Sequence, residues 1–391
     1  MQEEKIIAPP EITQNEQAVS KIETNDIQAN SSHFKPSRTS DVDNVFKSIS
    51  YTKPKKDKAE KQKLSPEAKE KREQSRLKKE AIRGISYDKI NGSATIKKGN
   101  LTLFIDQYNS DSFSGLSLST TKTLDRIKTE YTDKGERKIR LHISEFANRG
   151  IKDKGKLKET ISQDVANLYH LSLAYSKDPK NVNYLKLTRI LETVNIEVQT
   201  TPENNPKISF FHGDYLELEL SSRYAAFLDN NSFSQVDDRA YLLDNPNAYA
   251  IYARFLGNLS MNQGTLRGFV VPINTLQNAC PEIQSKEEMR AIGDRHFEKR
   301  TERTIKALES IKSAIPDFEY RYCNKAGKFL SEEEAKQLQE KDNDEQFSNG
   351  YVFMKVNNFP YNEKKMKKNR KQLEKQPPEE QAKKPKKQAK S

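Results

Sequence analysis

The apolar residues of this chain change period in the same order twice, and that double succession limits its fold more than any other feature. The first succession follows a hairpin pattern, ATIKKGNLTLFI from Ala94 to Ile105. A helix capped by Ser119 or Thr120 runs through Leu124, Ile127 and Tyr131, and the strand RKIRLHI comes next. A short helix after Ser144 (EFANRG) precedes a longer one that sets Leu157, Ile161, Val165, Leu168, Leu171 and Tyr175 on one face. Alternation then returns in Val194, Ile196 and Val198, in Ile208 and Phe210, and in YLELEL, where Leu216, Leu218 and Leu220 point inward. The second succession opens with Pro246 ahead of a helix over Asn247–Asn258. The strand GFVV, a short helix after Asn274 (TLQNAC) and a helical segment from Ser285 to Ser313 follow, with Ser285 and Glu288 spaced as a capping box. FEYRYC and YVFMKV close it as two alternating strands. The expected class is α+β, with one unit over residues 86–230 and a second over 240–360.

The flanks are of a different composition. The chain is 32% charged against 34% hydrophobic, so part of it cannot bury enough apolar surface to offset its ordering entropy. Residues 1–53 show no apolar periodicity and read as a leader without a fold. Ser65-Pro66-Glu67 starts a Lys/Glu-rich helix that is polar all round, reads as a solvated charged linker, and stops at Gly84. Residues 361–391 are Lys-rich, broken by proline and expected to stay disordered and to bind polyanions without sequence choice. The positive excess lies in residues 54–84 and 361–391, partly offset by a small acidic excess over residues 1–53, whereas residues 85–360 are neutral in sum. A nucleic-acid surface on the core therefore has to be found locally.

Cys280 and Cys323 lack the paired spacing of a zinc knuckle or a disulfide framework, which fits a reducing cytoplasm. The N-terminus lacks a signal-peptide pattern, and no apolar run approaches the roughly 20 residues that span a bilayer. His33, His142, His170, His212 and His296 form no close pair for the metal of a nicking relaxase. GIKDKGKL (Gly150 to Leu157) has the glycine and lysine spacing of a phosphate loop, but Leu157 stands where Ser or Thr must hold magnesium, so it reads as a turn between helices. No cofactor, metal or catalytic set is expected.

The segment from about Asp294 to Ile315 carries the clearest chemistry. At roughly 100° per residue, Phe297, Thr301, Thr304, Leu308, Ile311 and Ile315 fall on one buried stripe. Arg295, Lys299 and Lys306 point away from it, with Arg303 and Arg300 on one flank and Glu298, Glu302 and Glu309 on the other. Gly293 leaves two registers open: a continuous helix, or a stop at Ile292 with Asp294 capping a second helix. A basic ridge of this kind suits the major groove, because guanidinium groups grip a guanine edge and ammonium groups clamp phosphates. Arg290 precedes it, and Arg321, Lys325 and Lys328 stand on the following strands where a wing would meet the backbone of DNA. The matching helix of the first unit sets Lys156 and Lys158 against Glu159 and Asp164 and has no such ridge.

These segments resemble plasmid and integrative-element replication initiators built of tandem winged helices. The resemblance rests on GSATIKKGNLTLFID with STTKTLD, DYLELELSSRYAAFL, NAYAIYARFLGNLSMNQGTLRGFVVPINTLQNACPEI and DRHFEKRTERTIKALESI, over about residues 86–360. It implies two tandem winged-helix domains, the second a major-groove reader of origin repeats in double-stranded DNA and the first a dimerisation or supporting DNA contact. Arg290, Arg295, Lys299, Arg300, Arg303 and Lys306, with Arg321, Lys325 and Lys328 on the wing, are the DNA-contacting set it implies. It also implies a non-enzymatic cytoplasmic initiator that recruits host helicase and polymerase, the alternative being a winged-helix transcription regulator of a mobile element. The polar insertion Asn324–Gly350 departs from a compact wing.

Overall fold

The structure is a computed structural model; it describes residues 33–38, 46–47, 51–52, 65–68, 70–71, 74, 81, 84–88, 92–98, 101–106, 115–175, 188–194, 197–200, 206–229, 233–262, 268–293, 296–340, 344–357 and 359–360. In chain order the elements of the first half are β1 (Phe34–Arg38), β2 (Tyr51–Thr52), β3 (Ile85–Asp88), β4 (Ser93–Lys98), β5 (Leu101–Ile105), β6 (Gly115–Leu116) and α1 (Leu118–Lys134). There follow β7 (Lys138–His142), a 3-10 helix (Ile143–Arg149), α2 (Lys154–Tyr169), β8 (Leu171–Tyr175), β9 (Thr188–Arg189), β10 (Leu191–Val194), β11 (Glu197–Thr200), β12 (Pro206–Ser209), β13 (Phe211–His212), β14 (Tyr215–Leu220) and α3 (Ser222–Asp229). The second half holds β15 (Phe233–Asp237), a 3-10 helix (Asp238–Leu242), α4 (Pro246–Met261), β16 (Gly268–Pro272), α5 (Ile273–Ala279), α6 (Lys286–Ile292) and α7 (Glu298–Ala314). It ends with β17 (Phe318–Cys323), α8 (Glu332–Leu338), α9 (Asp344–Asn349) and β18 (Tyr351–Val356).

The class is α+β, and the order helix, strand, short helix, long helix, strands occurs twice, the second time with α6 added before the long helix and α8 and α9 between the last two strands. Sheet pairing repeats with it. In the first half β7 pairs antiparallel with β14, and β14 pairs on its other side with β10 and β13. In the second, β16 pairs with β18 and β18 with β17. In each case the strand after the opening helix lies beside the last strand. Gly268 permits this at the start of β16, since a Cβ there would stand 2.4 Å from the Met354 carbonyl oxygen.

Two apolar cores form. The first collects Leu124, Ile127, Ile139, Leu157, Ile161, Val165, Leu216, Leu218 and Leu220. The second collects Ile251, Tyr252, Phe255, Leu259, Val271, Leu308, Ile311, Phe318 and Val352. The helix α4 shows how sequence drives this packing: the Asn245 side chain accepts from the backbone N–H groups of Asn247 and Ala248, Pro246 starts the helix, and Ala248, Ile251, Tyr252, Phe255 and Leu259 line its inner side.

Several elements depart from the sequence expectation. The helix capped at Ser119 or Thr120 is capped by Ser117, whose hydroxyl accepts from the Thr120 N–H. The helix expected to continue through Leu171 and Tyr175 ends at Tyr169. Leu171–Tyr175 is a strand on β5, extending the β3–β4–β5 meander to a sheet that β9 completes. Leu171, Leu173 and Tyr175 also fit period two, and pairing with Leu101–Ile105 decides between the two readings. The leader read as lacking a fold contains β1, which pairs antiparallel with β15, and the buried Phe46. Residues 1–32 and the tail 361–391 lie outside the described residues.

Between the two cores runs α1, buried on every side from Thr120 to Tyr131 although it is rich in charge. Leu124, Ile127 and Tyr131 face the first core. Its polar flank meets the second half: Tyr249 donates to Asp125 Oδ2 at 2.6 Å, and the Lys122 ammonium donates to the Tyr241 carbonyl at 2.7 Å. Burial opposes ionisation of Asp125, yet Lys128, Lys47 and the Tyr249 hydroxyl together hold its carboxyl well below the usual range. Arg126 pairs with Glu145 and approaches Asp238 at 3.9 Å. The junction is thus ionic and hydrogen-bonded, as interfaces between domains of one chain commonly are.

Candidate nucleic-acid interface

Local sequence sets the approach to α7. Ser285 and Glu288 form the expected capping box at the start of α6. Gly293 ends that helix in the left-handed region, at φ 77°, a conformation that costs any residue with a Cβ. The continuous helix through Gly293 is therefore not formed, and α7 begins at Glu298 after Phe297, not after a cap at Asp294. Asp294 and the predicted contact Arg295 lie outside the described residues.

The expected buried stripe is present, with Thr301, Thr304, Leu308, Ile311 and Ile315 buried and Phe297 half-buried. Arg303 and Lys306 are exposed on the opposite side, Lys299 is half-exposed, and Glu302 and Glu309 share the exposed surface. Arg303 Nη1 donates to the Glu282 carbonyl at 2.5 Å, which engages one prong of its guanidinium while the side chain stays at the surface. Arg290, exposed at the end of α6, lays its guanidinium 5.7 Å from the centre of the Phe297 ring, and the Lys286 ammonium lies 5.8 Å from the same ring.

Arg300 does not belong to this exposed set. It is buried, its Nη1 pairing with Asp344 Oδ2 at 3.1 Å and its Nη2 donating to Gln277 Oε1 at 2.9 Å. Asp344 also accepts from the Thr301 hydroxyl at 3.2 Å and lies 3.4 Å from Lys286. The cause is α9, the end of the insertion, which packs on α5 and α7 and brings a carboxylate to the flank where Arg300 emerges. Helical periodicity places Arg300 beside Arg303 but carries no sign of a partner 44 positions away.

The strand β17 presents Arg321 outward, its guanidinium 5.4 Å from the Phe329 ring. Lys325 and Lys328 are exposed on the tight turn that follows, where the Asn324 side chain accepts from the N–H groups of Ala326 and Lys328. The insertion then folds α8 and α9 before β18 returns, so the two ribbon strands are in register from Phe318 opposite Val356 to Cys323 opposite Tyr351.

In the first half, α2 is capped by Asp153 and presents Lys156 to solvent. Lys154 and Lys158 reach Asp214 at 2.6 and 2.9 Å, and their hydrogen bonds push its carboxyl down to about 2. Asp164, expected to offset the lysines, is instead buried, accepting from Ser119, Thr120, Thr123 and Arg149. Of the two lysines read on this helix, Lys158 is paired by Asp214 of the β13–β14 turn, and Lys156 is exposed. Gly150 caps the 3-10 helix and Asp153 caps α2, so the first half of GIKDKGKL is the expected turn and Lys154–Leu157 is the first turn of α2.

Among the described residues no three His, Cys, Asp or Glu side chains come together as metal ligands would, and no helix is long and apolar enough to cross a membrane. Cys280 and Cys323 are both buried, as free thiols. What the surface of α6, α7 and β17 offers chemically is a group of guanidinium and ammonium donors on rigid elements, suited to phosphate oxygens or base edges.

No protein-family signature matches the sequence, and no curated protein matches it. Among solved structures, the crystal structure of selenomethionine derivatives of domains 2 and 3 of RctB is 10% identical, covers 68% of this chain and 91% of its own, and superposes with a TM-score of 0.37. A second crystal structure of RctB domains 2–3, also 10% identical, covers 70% and 90% at a TM-score of 0.34. The crystal structure of Pi initiator protein in complex with iteron DNA is 13% identical and covers 61% and 90% at a TM-score of 0.38. At these identities and TM-scores the likeness carries no function to this chain.

Proposed function

We propose that this chain is a sequence-specific DNA-binding replication initiator of a plasmid or integrative mobile element, built of two winged-helix units and acting without catalysis. The second unit reads origin repeats in double-stranded DNA; the first supports a dimer or a second DNA contact. Host helicase and polymerase components are the partners to be recruited, in the cytoplasm. One observation carries the reading: α7 buries Thr301, Thr304, Leu308 and Ile311 and turns Arg303 and Lys306 to solvent, ahead of a strand and turn exposing Arg321, Lys325 and Lys328. Lys299 and Arg290 extend that donor set; Arg300 supports it from inside.

Selection of bound sequences from random duplex tests the reading. The expected result is one enriched motif that recurs in tandem beside an origin in the neighbouring genome. A single copy overlapping a promoter would make the protein a transcription regulator instead. Absence of any enriched motif would remove the sequence-specific reading altogether.

A further inference from the structure

The described residues between Phe34 and Thr52 touch both halves of the molecule. At one end β1 pairs with β15, from Phe34 opposite Asp237 to Arg38 opposite Phe233. Phe34 is buried in the second core, its ring edge-on to Phe359 at 5.4 Å and capped by the Arg239 guanidinium at 5.7 Å. Lys35 pairs with Asp238 at 3.1 Å. At its other edge the same strand lies on the first half: the Arg38 N–H donates to the Thr132 hydroxyl at 2.9 Å, and its guanidinium donates to the Asp229 carbonyl at 3.2 Å. Phe46 is buried in the first core, Lys47 reaches Asp125 at 3.0 Å, and β2 pairs with β6.

With Leu118 of α1 packed at the edge of the second core, the two halves meet directly through two hydrogen bonds, Lys122 to the Tyr241 carbonyl and Tyr249 to Asp125, and the ion pair of Arg126 with Asp238. Such contacts fix geometry but contribute little net attraction once desolvation is counted. Apolar burial is the cheaper adhesive, and the segment supplies it with one phenylalanine in each core. It also closes the β15 edge, which among the described residues pairs with β1 alone.

We infer that residues 33–38, 46–47 and 51–52 form an intramolecular clasp: they hold the two halves in one orientation by a strand added to β15 and by Phe34 and Phe46 set in opposite cores. Releasing it lets the halves reorient about the junction at α1. The inference does not rest on the DNA reading, and its test contains no DNA.

The test keeps the full chain and inserts a protease site at the exposed Ser65–Glu67. After cleavage at micromolar concentration, the leader fragment is expected to co-elute with the remainder on gel filtration. Phe34→Asp should release it. Lys35→Glu, at the surface, sets like charges against Asp238 and should speed release several-fold without disturbing either core, so a folding defect in Phe34→Asp cannot account for both. Nitroxide labels on Glu136→Cys and Ser313→Cys, both exposed and one in each half, then report the distance between halves. A single narrow distance with the leader bound, lost when it is released, is the expected result. A wild-type leader that separates on cleavage, or a distance that stays narrow after release, would overturn the clasp.

Discussion

Arg300 and Asp344 form a buried ion pair, Nη1 to Oδ2 at 3.1 Å, that fastens the insertion to the inner flank of the candidate reading helix. Removing Asp344 leaves the Arg300 guanidinium charged without a carboxylate in the interior, whereas removing Arg300 leaves Asp344 with Lys286 at 3.4 Å and the Thr301 hydroxyl at 3.2 Å. Asp344→Ala is expected to lower stability by about 3 to 5 kcal/mol in urea unfolding, and Arg300→Ala by less, because Lys286 still faces Asp344. Replacing the two together by Met and Leu should recover most of that loss. A single variant that unfolds like wild type would show that the pair is open to water.

Lys122 gives a pH signature. Burial, followed by the nearby Arg149, pushes its ammonium down from 10.5 to about 8. Between about pH 8 and 10.5 the unfolded chain therefore holds more protons at this site than the folded one, so its contribution to stability rises with pH across that window and is adverse below it. Lys122→Met should be as stable as wild type or more so at pH 7, and the difference between the two should shrink toward pH 10. Thermal melts of both proteins across pH 7 to 10.5 check this.

On the proposed DNA reading, the tail and the turn after β17 are expected to act differently from the helix. Residues 361–391 carry a strong excess of lysine, so their deletion is expected to weaken binding to every duplex and to flatten the dependence on salt. Lys325→Ala and Lys328→Ala should each reduce the slope of log K against log salt by roughly 1 if each meets a phosphate, at equal cost on all sequences. Titrations from low to moderate salt read both effects.

Most patterns set within a few positions were legible, the cap of α1 being an exception, read at Ser119 or Thr120 and formed by Ser117. The alternation of Leu216, Leu218 and Leu220, the Ser285–Glu288 box and the stripe of Thr301, Thr304, Leu308 and Ile311 all stand as read. Each is a local pattern with one dominant period. Three features set by distant partners were not legible, each for the same physical reason. β1 has the composition of a leader and becomes a strand only because β15, nearly the whole core away in sequence, offers an edge. Leu171–Tyr175 fits helix and strand alike until β5 supplies a ladder. Arg300 reads as surface by periodicity and is interior because Asp344 arrives from the insertion. In all three, tertiary partners decide what local chemistry leaves open.

The central claim is that the exposed face of α7 reads DNA, and Arg303 tests it most directly. Affinities of wild type and Arg303→Ala should be measured on the selected duplex and on a scrambled duplex of equal length, with Lys306→Ala alongside. The account predicts that Arg303→Ala loses about 1 to 3 kcal/mol on the selected duplex and little on the scrambled one. Equal losses on the two duplexes, or none on either, would contradict it.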